Sequence, residues 1–469
     1  MCIKQFSMSN TSKEHSKMYL VLISLVSAMG GLLFGYDWVV IGGAKPFYEV
    51  FFSIENAPLM QGWVMGSAIL GCLIGVMVSG RWSDKYGRRS LMMVASVLFT
   101  LSAIGTGAVN HINWFIFYRI LGGVGIGIAS NLSPMYIAEI SPRSVRGRFV
   151  SINQLTIVIG ILAAQLANWL IADPVVAGED ILNSWNGQMG WRWMFWAEII
   201  PAAAFFILTF FIPESPRWLA MQGQYAKAHL IFSKIGGEGH ANDEMKEIRE
   251  TAEKDGDKVR FSMLLKGKMP KILMIGIVIA VFQQWCGINV IFNYAQEVFS
   301  AAGYGVSDIL FNIVVTGVTN VIFTLVGMYL VDKLGRRGLL IIGSVGLAII
   351  YAVMGAFYYL QVSGFAVLIM VVAAIACYAM TLAPVAWVVI SEIFPNRIRG
   401  MAMAVATFAL WFACFVLTYT FPLLNNSLGA HGTFWLYGLI CVGGFLFIYK
   451  YLPETKGKSL EQIEEELTK

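Results

Sequence analysis

The sequence predicts an all-α membrane protein of twelve transmembrane helices in two six-helix halves. Composition is the first sign: 57% of the 469 residues are hydrophobic and 13% charged, whereas about a quarter of residues are charged in soluble domains. Hydropathy is the second. About twelve apolar stretches of spanning length fall near 18–41, 59–79, 91–109, 114–137, 149–171, 193–212, 272–299, 308–331, 339–360, 365–391, 401–424 and 432–452, each near the roughly 20 residues a crossing needs. Repetition is the third. Asp84-Lys-Tyr-Gly87-Arg88-Arg89 returns as Asp332-Lys-Leu-Gly335-Arg336-Arg337. Glu139-Ile-Ser-Pro142 with Arg146-Gly147 returns as Glu392-Ile-Phe-Pro395 with Arg399-Gly400, and Pro213-Glu214-Ser215 as Pro453-Glu454-Thr455. Six spans and then six more, with the same loop signals in the same order, describe a duplicated bundle with parallel repeats, a design that places a substrate site between the halves near the membrane midplane.

In chain order, residues 1–17 read as a polar tail, 18–212 as the first half, 213–271 as a polar linker, 272–452 as the second half and 453–469 as a second tail. The linker has helical stretches at Tyr225–Ile235 and Asp243–Lys254, and the final tail reads as a short acidic helix over Ser459–Leu467. Basic residues gather in alternate loops: Lys85, Arg88 and Arg89; Arg143, Arg146 and Arg148; Lys333, Arg336 and Arg337; Arg397 and Arg399. The opposite loops are nearly free of them, with Lys45 and Arg192 as exceptions, so both termini and the linker are expected in the cytoplasm. The net charge of +5 therefore reports topology and gives no sign of nucleic acid. No short apolar region with a cleavage site precedes the first span, which reads as an uncleaved anchor. Cys72, Cys286, Cys377, Cys414 and Cys441 lie inside spans and Cys2 in the tail, a pattern that forms neither a disulfide framework nor a metal site.

Polar residues inside the spans carry the chemistry. The first span reads Gly30-Gly-Leu-Leu-Phe34-Gly-Tyr36-Asp37, and a carboxylate at that depth costs roughly 2.5–3.5 kcal/mol, so it needs a partner or a role. Arg119 in the fourth span is the natural counter-ion, and Glu198 in the sixth is a third ionisable group. A buried ion pair is one reading; a proton switch, in which protonating Asp37 releases Arg119, is the other. The glycines at 122, 123, 125 and 127 follow no strand, which favours close helix packing over a dinucleotide loop.

The seventh span is polar where it should be apolar, with Gln283, Gln284, Asn289 and Asn293. On a straight helix Asn289 and Asn293 share a face that lies more than about 100° from the two glutamines. Gly287 permits a break that would let both sets converge, either on neighbouring helices or on a polyhydroxylated ligand. In the loops, Gly87 allows a tight reversal, and Asp84 with the cations after it can hold one gated conformation through charge-assisted bonds.

The paired loops, together with Glu139 and Arg146, Glu392 and Arg399, Pro213-Glu-Ser-Pro-Arg217 and Pro453-Glu-Thr, resemble the signature set of the sugar porters within the major facilitator superfamily. The resemblance runs from about Met18 to Leu460. It is strongest to bacterial D-xylose-proton symporters and weaker to animal facilitative glucose transporters. It implies a major facilitator fold and a symporter, not an enzyme, that imports an aldose with a proton by alternating access, D-xylose first and D-glucose next. It also implies a bacterial inner-membrane protein working as a monomer in the lipid bilayer, with protons as the coupling ion and no other cofactor or metal.

Residue by residue, the resemblance assigns sugar contacts to Phe34, Gln154, Gln283, Gln284, Asn289, Asn320, Trp387 and Trp411. It assigns proton coupling to Asp37, Arg119 and Glu198. The conformational latch falls to Asp84, Arg88, Arg89, Glu139 and Arg146, and to Asp332, Arg336, Arg337, Glu392 and Arg399. Four positions depart from the xylose symporters: Trp38 follows Asp37 in place of a small residue, Asn293-Tyr294 replaces a tyrosine pair, Ala383 replaces glycine, and Leu410 replaces a glutamine before Trp411. The alternatives are an uncoupled facilitator with the same sugar contacts and a non-transporting sugar sensor, which usually carries a longer cytoplasmic tail.

Overall fold

The computed structural model describes residues 2–456 except 143–144, 176–177, 179, 255–260, 266 and 395–397, with side chains described outside 2–17, 251–254, 261–262 and 332. The side chain of Asp332, the Pro395–Arg397 stretch, Arg143 and the Ser459–Leu467 segment thus lie outside the described residues.

The first half contains α1 (Cys2–Phe51), α2 (Pro58–Tyr86), α3 (Arg88–Ala108), α4 (Ile112–Ile140) and α5 (Arg146–Ile171). Its sixth crossing begins in a π-helical turn at Asn186–Gly190 and continues as α6 (Trp191–Trp196) and α7 (Ile199–Thr209). The linker forms α8 (Pro216–Met221) and α9 (Tyr225–Lys254), which turns at Gly237 (φ 84°) and packs against α1. The second half comprises α10 (Met269–Trp285), α11 (Ile288–Asn293), α12 (Ala295–Ser300), α13 (Val306–Leu334), α14 (Arg336–Tyr359), α15 (Phe365–Met380), α16 (Leu382–Glu392) and α17 (Arg399–Tyr451).

Eleven helical segments among the described residues have the length and hydropathy of a span. The last, α17, has 53 residues. At 1.5 Å per residue it would run roughly 80 Å, more than twice the hydrocarbon core. Gly429 breaks it with φ 67°, so α17 supplies two crossings and the count is twelve.

Helices outrun the apolar stretches. α1 continues about ten residues past the end of its hydropathy signal, so Lys45 sits on a buried helical face at 1% exposure and not in a loop as its charge suggested. Arg192 likewise lies within α6, where it donates to the carbonyls of Gly107 (2.7 Å) and Val109 (2.8 Å) and to Asn110 Oδ1 (2.8 Å). It satisfies the open carbonyl end of α3. The sixth crossing spans 186–209 instead of 193–212, and the tenth is interrupted at Thr381 (φ −124°, ψ −82°).

The glycines of α4 do pack helices. A Cβ on Gly71 would lie 2.9 Å from the Cα of Gly123, and one on Gly75 2.9 Å from the Cα of Gly127, so α2 and α4 touch backbone to backbone. Across the halves α2 packs on α17, α5 on α13, and the end of α1 on α11 and α12.

Candidate functional site

The seventh crossing breaks where its glycine allows. Gly287 adopts φ 87°, a left-handed conformation that costs a side-chain-bearing residue about 1–2 kcal/mol. The turn brings the two amide sets together. Asn289 Nδ2 donates to Gln284 Oε1, Gln284 Nε2 to Gln283 Oε1 (2.6 Å), and Gln283 Nε2 to the Tyr378 hydroxyl (2.7 Å). Asn289 also lies 3.7 Å from Cys414 Sγ. All three amides are buried, and a sugar hydroxyl, which both donates and accepts, could replace a partner at any point along this chain.

The remaining predicted sugar contacts sit on other helices. Asn320 is buried on α13, Gln154 half-buried on α5 and Trp387 exposed on α16; among the described residues none bonds directly to the amide trio. Phe34 and Trp411 meet across the halves with centroids 5.7 Å apart. Trp38 completes the group, 5.7 Å from Trp411 and 6.1 Å from Phe34. Leu410 beside it is buried. Asn293 is buried with Oδ1 unpartnered, and Tyr294 turns its hydroxyl to the Thr418 carbonyl at 2.7 Å.

The first half holds the buried charges. Asp37 accepts from Arg119, whose second nitrogen donates to the Asp37 carbonyl at 3.2 Å. A Cβ on Gly122 would lie 2.9 Å from Asp37 Oδ2, so glycine there lets α4 reach the carboxylate. Glu198 lies at the junction of α6 and α7. All three groups are 1% exposed, and Asp37 Oδ2, Glu198 Oε1 and Arg119 Nε have no hydrogen-bond partner. Among the described residues Arg119 pairs with Asp37 alone, and Glu198 adds a second buried carboxylate, so the three groups become neutral together when one carboxylate takes a proton.

The duplicated loops form two matching networks. Arg88 pairs with Glu139 and Arg336 with Glu392, each at 3.1 Å. Arg88 also meets Asp84 at 3.2 Å. Arg89 donates to the carbonyls of Thr209 and Phe210 at the end of α7, and Arg337 to that of Tyr449. Arg146 and Arg399 donate to the Ser141 and Phe394 carbonyls.

Sequence reasoning missed the centre of each network. Glu214 accepts from the backbone N–H groups of Arg88 (2.9 Å) and Arg89 (3.1 Å), and Glu454 from those of Arg336 (2.9 Å) and Arg337 (3.1 Å). Each carboxylate caps a helix from a distant part of the chain. Ser215 and Thr455 donate to Glu139 and Glu392. The echo of Pro-Glu-Ser in Pro-Glu-Thr was the available signal. Tyr378 gave none.

A two-half helical bundle with a chain of amides in one half and a buried charge cluster in the other defines a secondary transporter. The chain belongs to the sugar transporters: the profile of the family "Sugar (and other) transporter" matches residues 23–467. It is 39% identical to the D-xylose-proton symporter of Escherichia coli strain K12, covering 96% of each chain. It is 40% identical to the glucose transport protein of Synechocystis, over 95% of this chain and 97% of that one. Among solved structures, the inward-open xylose transporter of E. coli superposes with a TM-score of 0.83 at 37% identity, covering 95% of this chain and 99% of that one. The protein is therefore a multi-pass membrane transporter with the major facilitator fold and not an enzyme.

Proposed function

We propose that the chain is a proton-coupled symporter that imports an aldose, D-xylose first and D-glucose next, across the bacterial inner membrane with both termini cytoplasmic. The observation that carries this reading is the Asp37–Arg119–Glu198 cluster, whose carboxylates outnumber its cation inside the bundle. A chemically neutral substrate needs no such cluster; a proton does. The name of the E. coli relative, a D-xylose-proton symporter, supports the same reading, while that of the Synechocystis relative supports glucose as the second candidate.

In this reading residues 18–212 sense the proton and 272–452 hold the sugar. Gln283, Gln284 and Asn289 bind hydroxyls, with Gln154 and Asn320 reaching in from α5 and α13, and Phe34, Trp387 and Trp411 offer apolar faces to the ring. Asp84, Arg88, Arg89, Glu139 and Arg146, with Asp332, Arg336, Arg337, Glu392 and Arg399, steady the cytoplasmic ends, and the 213–271 linker couples the halves. The protein works as a monomer, and protons are its coupling ion.

The test is the pH of a lightly buffered, de-energised suspension of expressing cells on addition of D-xylose and then D-glucose. Alkalinisation with one of them is expected. If labelled sugar equilibrates without a pH change, the protein is an uncoupled facilitator and Asp37 carries no proton.

A further inference from the structure

A second buried charge cluster lies about two turns beyond Asp37 along α1. Lys45, in the last two turns of α1, is 1% exposed and forms ion pairs with Glu49 at 2.9 Å on its own helix and with Glu297 on α12. Glu49 is 5% exposed, and Glu297 Oε2 is buried without a hydrogen-bond partner. The pair of Lys45 with Glu297 joins the first half to the second.

Its position follows from the topology. α1 runs into the loop before α2, and α12 into the turn before α13; α2 and α13 then carry the chain across to the basic loops at Arg88 and Arg336. Lys45 and Glu297 therefore sit at the mouth opposite the basic loops. Neighbouring contacts show that this mouth is closed: a Cβ on Gly42 would lie 2.9 Å from the Phe292 carbonyl oxygen, and Ser307 of α13 accepts from the backbone of Val175 after α5 at 2.9 Å.

We propose that Lys45 and Glu297 are the gate of this mouth, an ion pair between the halves that exists when the mouth is closed and is hydrated when it opens. Closure strips water from three charges, and the ion pair is what offsets that loss. Glu49 stays with Lys45 on α1 in either state. Removing the ammonium leaves two carboxylates facing each other in the closed mouth, a repulsion that opening relieves. Removing Glu297 leaves Lys45 paired within α1 and releases only the bond between the halves.

The substitutions should therefore rank. This inference rests on the protein being an alternating-access transporter, but its test needs neither sugar nor proton coupling, so an error in either assignment would not be mistaken for its failure. Spin labels at Asn56→Cys and Ala301→Cys, two exposed positions at this mouth, in full-length reconstituted protein carrying Cys2→Ser, report its width by pulsed electron resonance. Lys45→Met should raise the ratio of wide to narrow states at least about tenfold, the lower end of what close interfacial charge pairs contribute. Glu297→Gln should raise it less, and Glu49→Gln should leave it near that of the unsubstituted chain. Unchanged distances in Lys45→Met and Glu297→Gln, or an effect of Glu49→Gln as large as that of Glu297→Gln, would overturn the gate.

Discussion

Asp37 of α1 and Arg119 of α4 form an ion pair within the first half, each 1% exposed to solvent. Glu198 is equally buried, so the three groups hold one more carboxylate than cation, the excess on which the proposed proton coupling rests.

Asp37→Asn should abolish accumulation of sugar against a gradient, because the side chain can no longer exchange a proton. Exchange of labelled for unlabelled sugar should persist. Accumulation surviving in this variant, measured in energised vesicles, would sink the assignment. Arg119→Leu leaves two carboxylates buried without a cation and should destabilise the protein by about 3–5 kcal/mol, visible as a lowered melting temperature in detergent.

Gln284 both donates to Gln283 and accepts from Asn289. Gln284→Ala should weaken sugar binding about tenfold, near the upper worth of one neutral hydrogen bond. Titration calorimetry on purified protein checks this, and an unchanged affinity would remove Gln284 from the site.

Gly287→Ala tests the helix break. Its φ of 87° disfavours a side chain by about 1–2 kcal/mol, and the added Cβ would lie 2.7 Å from the Tyr437 ring. Sugar affinity and thermal stability should fall together. A variant that melts normally and binds normally would show that the break is dispensable.

Glu454 predicts an acid-sensitive joint. Partial burial acts to raise its pKa, but the backbone N–H groups of Lys456, Arg336, Arg337 and Gly338 outweigh that and hold it below the usual 4.5. Because the folded value is the lower one, the stabilisation is fully present above the unfolded carboxylate range and is lost as pH falls through the lowered folded value. Glu454→Gln should remove that acid dependence. The difference in melting temperature between the two proteins, followed from neutral pH downward, should shrink over that window; a constant difference would contradict it.

The halves, the helix count and the seventh-span break were legible in the sequence because each depends on neighbours in the chain. Hydropathy sums over about 20 residues, and Gly287 sits between two amide pairs that a straight helix would separate. Asp37 was legible for a related reason: a carboxylate in an apolar run stands out wherever its partner is. The break at Thr381 also had a local sign that the hydropathy reading passed over: Pro384 cannot donate to the carbonyl of Met380, where α15 ends.

What the sequence by itself determined is the set of local preferences: where the chain crosses the membrane, where it turns, and which polar groups it carries into the bilayer. Tertiary structure alone decided who meets whom. Glu214 caps a helix that begins 126 residues earlier, Tyr378 receives the bond from Gln283 across 95 residues, and Lys45 finds Glu297 across 252. The physical reason is that a buried polar group must be satisfied. The chain shows the need, but the partner is set by the packing of the two halves.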